Sequence, residues 1–302
     1  KIIKARPNVQ VLMSSTLTTK NAQTSLQAMS LGAADYVPKP TTNKEVISSQ
    51  SFQAEIIEKI KQLAATKRKQ LGLAPFGTDT RAKAAPGRVV TDKPKPLNIP
   101  KTIRASMVMP KIIGVGSSTG GPQALLKFVS GIKENLTLPV VITQHMPATF
   151  TKILAGHLSK ATGLVCVEGE HGMPLVGGQV YIAPGDNHMI VVTGEDGKHY
   201  LQLNQDAPEN FCRPAVDPMF RSLTKEFGSA VLGVILTGMG HDGLSGSKQV
   251  VNEGGTIIAQ NEETSVVWGM PGAVSDAGIC NAVLPLDEMA SKVQRLVKGG
   301  RG

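Results

Sequence analysis

Three residues of the types needed for nucleophilic acyl chemistry each follow a short apolar run in this chain: Ser118, His145 and Asp242. Ser118 is the centre of Gly116-Ser117-Ser118-Thr119-Gly120, a G-x-S-x-G sequence between the apolar run Ile112 to Val115 and a helix-spaced segment opened by Pro122. A strand, a sharp glycine turn and a helix push one side chain into the open above a sheet, the geometry of a nucleophile elbow. His145 ends the run that starts at Leu138. Asp242 lies in Thr237-Gly238-Met239-Gly240-His241-Asp242-Gly243, after the run Val231 to Leu236. A serine needs a base to take its proton, and a histidine base needs an acid to fix its tautomer and stabilise the imidazolium.

Each signal alone has a plainer reading. The glycine turn is equally suited to an anion or a purely structural role. A Rossmann fingerprint counted from Gly114 requires glycine where Thr119 stands, with a strand-end acid about 20 residues on; both are missing, and so is the Gly-Lys-Ser/Thr of a P-loop. A histidine after a strand is most often structural, and an aspartate before glycine is a common turn former or helix N-cap. What joins the three is topology, because side chains just past the carboxyl ends of parallel strands converge on one crevice. Ser117 is a rival nucleophile that sits before the centre of the elbow. His188 is a rival base at a strand start, His241 adjoins Asp242, and His157 lies on an amphipathic helix.

The segments GSSTGGPQAL, ITQHMP, YIAPGDNHM, CRPAVDPMF, LTGMGHDG and AQNEETSVVWGMPGAV occur in this order. From about Pro110 to the C-terminus the chain thereby resembles the catalytic domain of the protein-glutamate methylesterases of bacterial chemotaxis. The resemblance implies a serine hydrolase that demethylates glutamyl methyl esters on the cytoplasmic helices of chemoreceptors, and often deamidates receptor glutamines. Matched residue by residue, it implies Ser118 as nucleophile, His145 as general base and Asp242 as orienting acid. The backbone amides of Thr119 and Met239 match the oxyanion-hole positions. No cofactor and no metal are implied. The competing functions are a nucleotide- or phosphate-binding module on the same glycine turn and a non-catalytic receptor adapter.

The elements that must position these residues follow from pattern. From residue 108 to 302 strand-like and helix-like segments alternate, which predicts an α/β fold with a mainly parallel doubly wound sheet. Gln179 to Ala183 and His188 to Val192, separated by Pro-Gly-Asp-Asn, predict a local antiparallel hairpin. Residues 1–66 read as strand, helix, strand and helix, with a capping-box pattern at Thr42-Asn43-Lys44-Glu45. This order resembles the last two β/α units of a response-regulator receiver domain, with Tyr36 and Lys39 at the switch-aromatic and lysine positions and Ser15 at the strand-end hydroxyl position. The first three receiver strands and the phosphoacceptor Asp are missing, so the chain reads as a fragment of a longer protein whose phosphodonor is a histidine kinase. A two-stranded remnant is expected to be too small for a stable docking face, which predicts a constitutively active enzyme.

Composition limits the alternatives. Ten basic residues and only two acidic ones fall between Lys67 and Arg104, so most of the net charge of +9 belongs to one Pro-rich stretch, 67–107, read as a solvated linker. With 4% aromatic residues there is little to stack on bases, and no nucleic-acid role is expected. No apolar run reaches transmembrane length and no signal peptide opens the chain, so a cytoplasmic protein without direct membrane insertion is expected. Cys166, Cys212 and Cys280 are scattered, without C-x-x-C, and are read as buried or incidental thiols.

Overall fold

Strands that are apolar on both faces must be covered on both faces, the condition met by a parallel sheet between two layers of helices. The chain takes this form in a computed structural model, which describes residues 2–6, 8–16, 18–39, 46–74, 103, 105–134 and 136–300. The N-terminal elements are α1 (Ile2–Ala5), β1 (Leu12–Thr16), α2 (Thr19–Ser30), β2 (Asp35–Lys39) and α3 (Val46–Gln70). Then follow β3 (Ile112–Ser117), α4 (Gly121–Ile132), β4 (Val140–Gln144), α5 (Ala148–Thr162), β5 (Val165–Glu168) and β6 (Gln179–Ile182). The hairpin strands β7 (His188–Thr193) and β8 (His199–Asn204) precede α6 (Val216–Phe227), β9 (Val231–Ile235) and α7 (Leu244–Asn252). The chain closes with β10 (Thr256–Gln260), α8 (Met270–Asp276), β11 (Ala282–Leu284) and α9 (Leu286–Val297).

Seven strands form one parallel sheet in the order β11-β10-β9-β3-β4-β6-β5. Its central strand, β3, has β4 on one side and β9 on the other, so the chain winds away from β3 in both directions. That is the switch point at which the loops part and leave a crevice. One face packs against α4, α5 and α9, around Phe128, Phe150 and Met289; the other packs against α6, α7 and α8, around Phe220, Met219 and Val250. Helix α6 lies very close to the sheet because β3 carries glycines there: a Cβ at Gly114 would sit 2.8 Å from the Phe220 ring, and one at Gly116 2.7 Å from Val216. This approach brings the first turn of α6 to the crevice.

The predicted hairpin pairs differently from the expectation. β6 does not turn back on β7; it lies between β4 and β5 with Val180, Tyr181 and Ile182 fully buried, because an apolar run of this kind gains most when flanked on both edges. The antiparallel pair is β7 with β8, joined through Gly194-Glu195-Asp196-Gly197, where Gly197 takes φ 75°. The proposed capping box at 42–45 lies outside the described residues, as does 75–102 of the expected linker. Lys67, Arg68 and Lys69 belong to the last turn of α3 rather than to a linker.

The N-terminal elements also depart from the expectation of a remnant without a docking face. β1 and β2 pair in parallel, and α2 packs on α4 and α5. Tyr36 is buried and stacks on Phe150 of α5, with ring centroids 4.3 Å apart. Leu26, Met29 and Tyr36 join the same apolar cluster as Phe128 and Leu158, so the larger α/β unit supplies the core that two strands lack.

Candidate active site

Register places the serine and histidine side by side. Ser117 pairs with Gln144 at the ends of β3 and β4, so Ser118 and His145 are the next residues on adjacent strands. The His145 amide donates to Ser117 O at 3.1 Å, which ties the two loops together. Gln144 completes the tie: its side-chain oxygen accepts from Ser117 Oγ at 2.7 Å, and its amide donates to Ser118 O at 2.9 Å. Ser117 is thus buried with its hydroxyl engaged, while Ser118 is partly exposed at the start of the turn. Gly120 has φ 78° and begins α4, the left-handed conformation that the elbow requires of that position.

The third loop comes from β9. Ser118 N donates to Thr237 O at 3.0 Å, and a Cβ at Gly238 would come within 2.9 Å of Ser118 Cβ, so only glycine fits between the loops. Beyond it, Asp242 is 1% exposed and its Oδ2 lies 2.7 Å from His145 Nε2. The same carboxylate accepts from the amides of Val216 at 2.6 Å and Asp217 at 3.1 Å, from its neighbour Gly243 at 2.9 Å, and from Asn210 Nδ2 at 3.0 Å. Val216 and Asp217 open α6, whose N-cap Ala215 has no side chain able to cap, so Asp242 satisfies this helix end from another loop. Asp217 returns the arrangement by accepting from Gly246 N in the first turn of α7 at 2.7 Å.

Electrostatics follow from these contacts. Burial pushes the Asp242 carboxyl up, but the hydrogen bond and charge of His145, with the amides of Val216 and Asp217, outweigh it and hold the group below its ordinary 3.8. Burial works against the His145 imidazolium, yet the hydrogen bonds to Asp242 and to Cys212 raise it to about 10. Asp217 is raised by burial first, and also by the nearby Asp242 charge. Cys212 Sγ lies 3.4 Å from His145 Nδ1, on the ring edge opposite Asp242. Among the described residues no hydrogen bond joins Ser118 Oγ to His145, so the thiol engages the nitrogen that a serine nucleophile would need.

The Thr119 and Met239 amides donate to no acceptor among the described residues. Both residues touch the N-terminal elements. Thr119 Oγ1 donates to Asp35 Oδ2 at 2.7 Å, and Met239 packs in a cluster with Leu12, Leu63 and Val266.

The CheB methylesterase family model matches residues 113–293. The chain belongs to the CheB methylesterase family. It is 48% identical to a protein-glutamate methylesterase/protein-glutamine glutaminase of Rhodospirillum centenum, over 98% of this chain and 77% of that one. A protein of the same name from Azospirillum brasilense is 47% identical over 98% of this chain and 75% of its own length. The crystal structure of the Thermotoga maritima CheB methylesterase catalytic domain is similar with a TM-score of 0.61 and 41% identity, covering 63% of this chain and all of that one.

The rival histidines are engaged elsewhere or lie apart from the His145–Asp242 pair. His188 is buried, takes a hydrogen bond from Ala215 N at 3.2 Å and meets Ala207 O at 3.1 Å, so it braces the start of α6. His241 is exposed, and His157 lies on α5 away from the crevice. Of the three cysteines read as buried or incidental, Cys166 and Cys280 are buried, whereas Cys212 is half-buried with its sulfur against His145. Cys212, Asn210, Asp217 and Gln144 escape sequence reasoning because their partners lie 7 to 67 residues away. No group of three or more potential metal ligands occurs among the described residues. None of the described helices is long and apolar enough to cross a membrane.

Proposed function

We propose that this chain hydrolyses glutamyl methyl esters of chemoreceptors by a Ser118–His145–Asp242 mechanism, and that receptor glutamines are deamidated in the same crevice. The observation that carries the reading is the convergence of the ends of β3, β4 and β9, with His145 Nε2 on Asp242 at 2.7 Å and Ser118 on the adjacent elbow. Ser118 Oγ attacks the ester carbonyl while neutral His145 takes its proton. The oxyanion is received by the amides of Thr119 and Met239. The tetrahedral intermediate collapses as His145 returns the proton to the leaving oxygen, methanol departs and an acyl-enzyme remains. Water, deprotonated by the same histidine, then releases the glutamate carboxylate. For the thiol-engaged histidine, Nδ1 must first leave Cys212 and turn to Ser118.

The N-terminal elements are read as the end of a receiver domain that restrains this reaction, since they hold Thr119 and Met239 on the oxyanion side. A histidine kinase is the corresponding phosphodonor for a complete receiver, and methylated receptor helices are the substrate. The test is methanol release from a methylated receptor. Wild-type chain should release methanol, and Ser118→Ala should lose the activity while keeping its fold; release by Ser118→Ala at the wild-type rate would refute the assignment.

A further inference from the structure

The segment Glu209-Asn210-Phe211-Cys212 closes on itself beside the crevice. Glu209 N donates to Cys212 O at 3.1 Å and Cys212 N to Glu209 O at 2.8 Å. The two residues between them both have positive φ, 51° at Asn210 and 63° at Phe211. This is the backbone pattern of the tight two-residue turn for which Asn-Gly is favoured. Asn210 suits it. Phe211 does not, because a side chain at Cβ is crowded in the left-handed region and glycine would make the turn without strain.

The fold gains nothing from the ring in exchange. Phe211 is 103% exposed, so it packs on none of the described residues. The turn that carries it is nonetheless firmly held. Asn210 Nδ2 donates to Asp217 Oδ2 and to Asp242 Oδ1, each at 3.0 Å; Glu209 pairs with Arg221 of α6; and Cys212 Sγ touches His145 Nδ1 at 3.4 Å. A strained, fully exposed aromatic residue therefore stands on a fixed post, one residue from a group in contact with the general base. Strain persists at such positions where function requires the side chain.

We propose that Phe211 is a specificity-determining residue that packs against the apolar side chains of the receptor helix about one turn from the methylated glutamate. The proposal rests on the esterase reading given above. A receptor helix presents neighbours of the ester glutamate three and four residues away on the same face. An aromatic ring with few rotatable bonds is an efficient anchor for such a face. A small ester offers no such face and does not use the ring.

The test compares Phe211→Ala and Phe211→Trp with the wild-type chain in two assays. In methanol release from a methylated receptor, Phe211→Ala should raise KM about tenfold, within the range of aromatic hot spots, with kcat at saturation unchanged and Phe211→Trp restoring KM. In labelling by a small fluorophosphonate, which reads the Ser118 site alone, all three should react at one rate. Phe211→Gly should raise the melting temperature by relieving the turn, which confirms that the ring is kept at the expense of stability. An unchanged receptor KM in Phe211→Ala would overturn the proposal. So would a fall in labelling that parallels the rise in KM, because the ring would then support only the site's geometry. Failure of the esterase reading is a separate result: wild-type methanol release by Ser118→Ala, whatever the Phe211 variants do.

Discussion

Asp242→Ala should be the most destabilising change in the proposed triad, for reasons unrelated to catalysis. The carboxylate accepts from three backbone amides, at Val216, Asp217 and Gly243, and from the Asn210 side chain, besides meeting His145. Truncation to alanine removes all of these acceptors at a site that is 1% exposed. A buried donor left unsatisfied costs about 1–3 kcal/mol. Water can enter from the crevice side and re-satisfy some of the groups, so the lower end of that range applies to each. The three amides together then give a loss of about 3–5 kcal/mol, against a total stability of about 5–15 kcal/mol for a typical domain. Asp242→Asn keeps one acceptor oxygen and should cost about 1–3 kcal/mol. Its activity should still fall by about 10⁴-fold, the loss that the equivalent change causes in serine-protease triads. Ser118→Ala removes one partly exposed hydroxyl and should stay within about 0.5 kcal/mol of wild type. Urea denaturation of the three variants, each read beside methanol release, separates the two roles. A loss below about 1 kcal/mol for Asp242→Ala would refute the reasoning that this carboxylate caps α6.

The remaining predictions concern pH and restraint. With its proton held up to about 10 by Asp242 and Cys212, His145 is an imidazolium at neutral pH in this arrangement, so kcat/KM should keep rising with pH above 6.5, not level off there. Cys212→Ala removes one of the two partners and should move that rise to lower pH; an unmoved profile contradicts the assigned contact. In the stability profile, the raised His145 contributes a term fully present below 6.5 and lost between 6.5 and about 10. The lowered Asp242 contributes one present above 3.8 and lost as pH falls through its folded value. Tyr36→Ala deletes the ring stacked on Phe150 and weakens the N-terminal dock by about 0.5–1.5 kcal/mol from stacking alone. Methanol release should rise severalfold, and an unchanged rate would show that the docked elements leave the crevice open.

Much of the positioning was legible because it is local. The apolar runs at Ile112, Leu138 and Val231 announce buried strands, the glycines announce the elbow, and parallel topology brings their ends together. Asp242 does not cap the helix that follows it, whose N-cap is Gly243; it accepts from the first amides of α6 instead. That helix begins 26 residues earlier, a pairing that no sequence spacing encodes. The thiol at Cys212 and the bridge at Asn210 were missed for the same reason, since both depend on a turn with two positive φ values that the pair Asn-Phe does not advertise. Alternation does not tell a strand bound for the sheet interior from one bound for a two-stranded ribbon, so the pattern places the hairpin one strand before β7 and β8. The dock of the N-terminal elements is hidden from the sequence because its core is shared: Tyr36 stacks on Phe150, more than a hundred residues on.

The central claim is that Ser118, activated by His145, is the nucleophile of this crevice. The most direct measurement is to label the intact chain with a fluorophosphonate at pH 8, digest it, and map the adduct by mass spectrometry. The account predicts a single phosphonyl adduct on Ser118, absent when the labelling is done on His145→Gln. An adduct on Ser117 or Cys212, or undiminished labelling of Ser118 without His145, would contradict it.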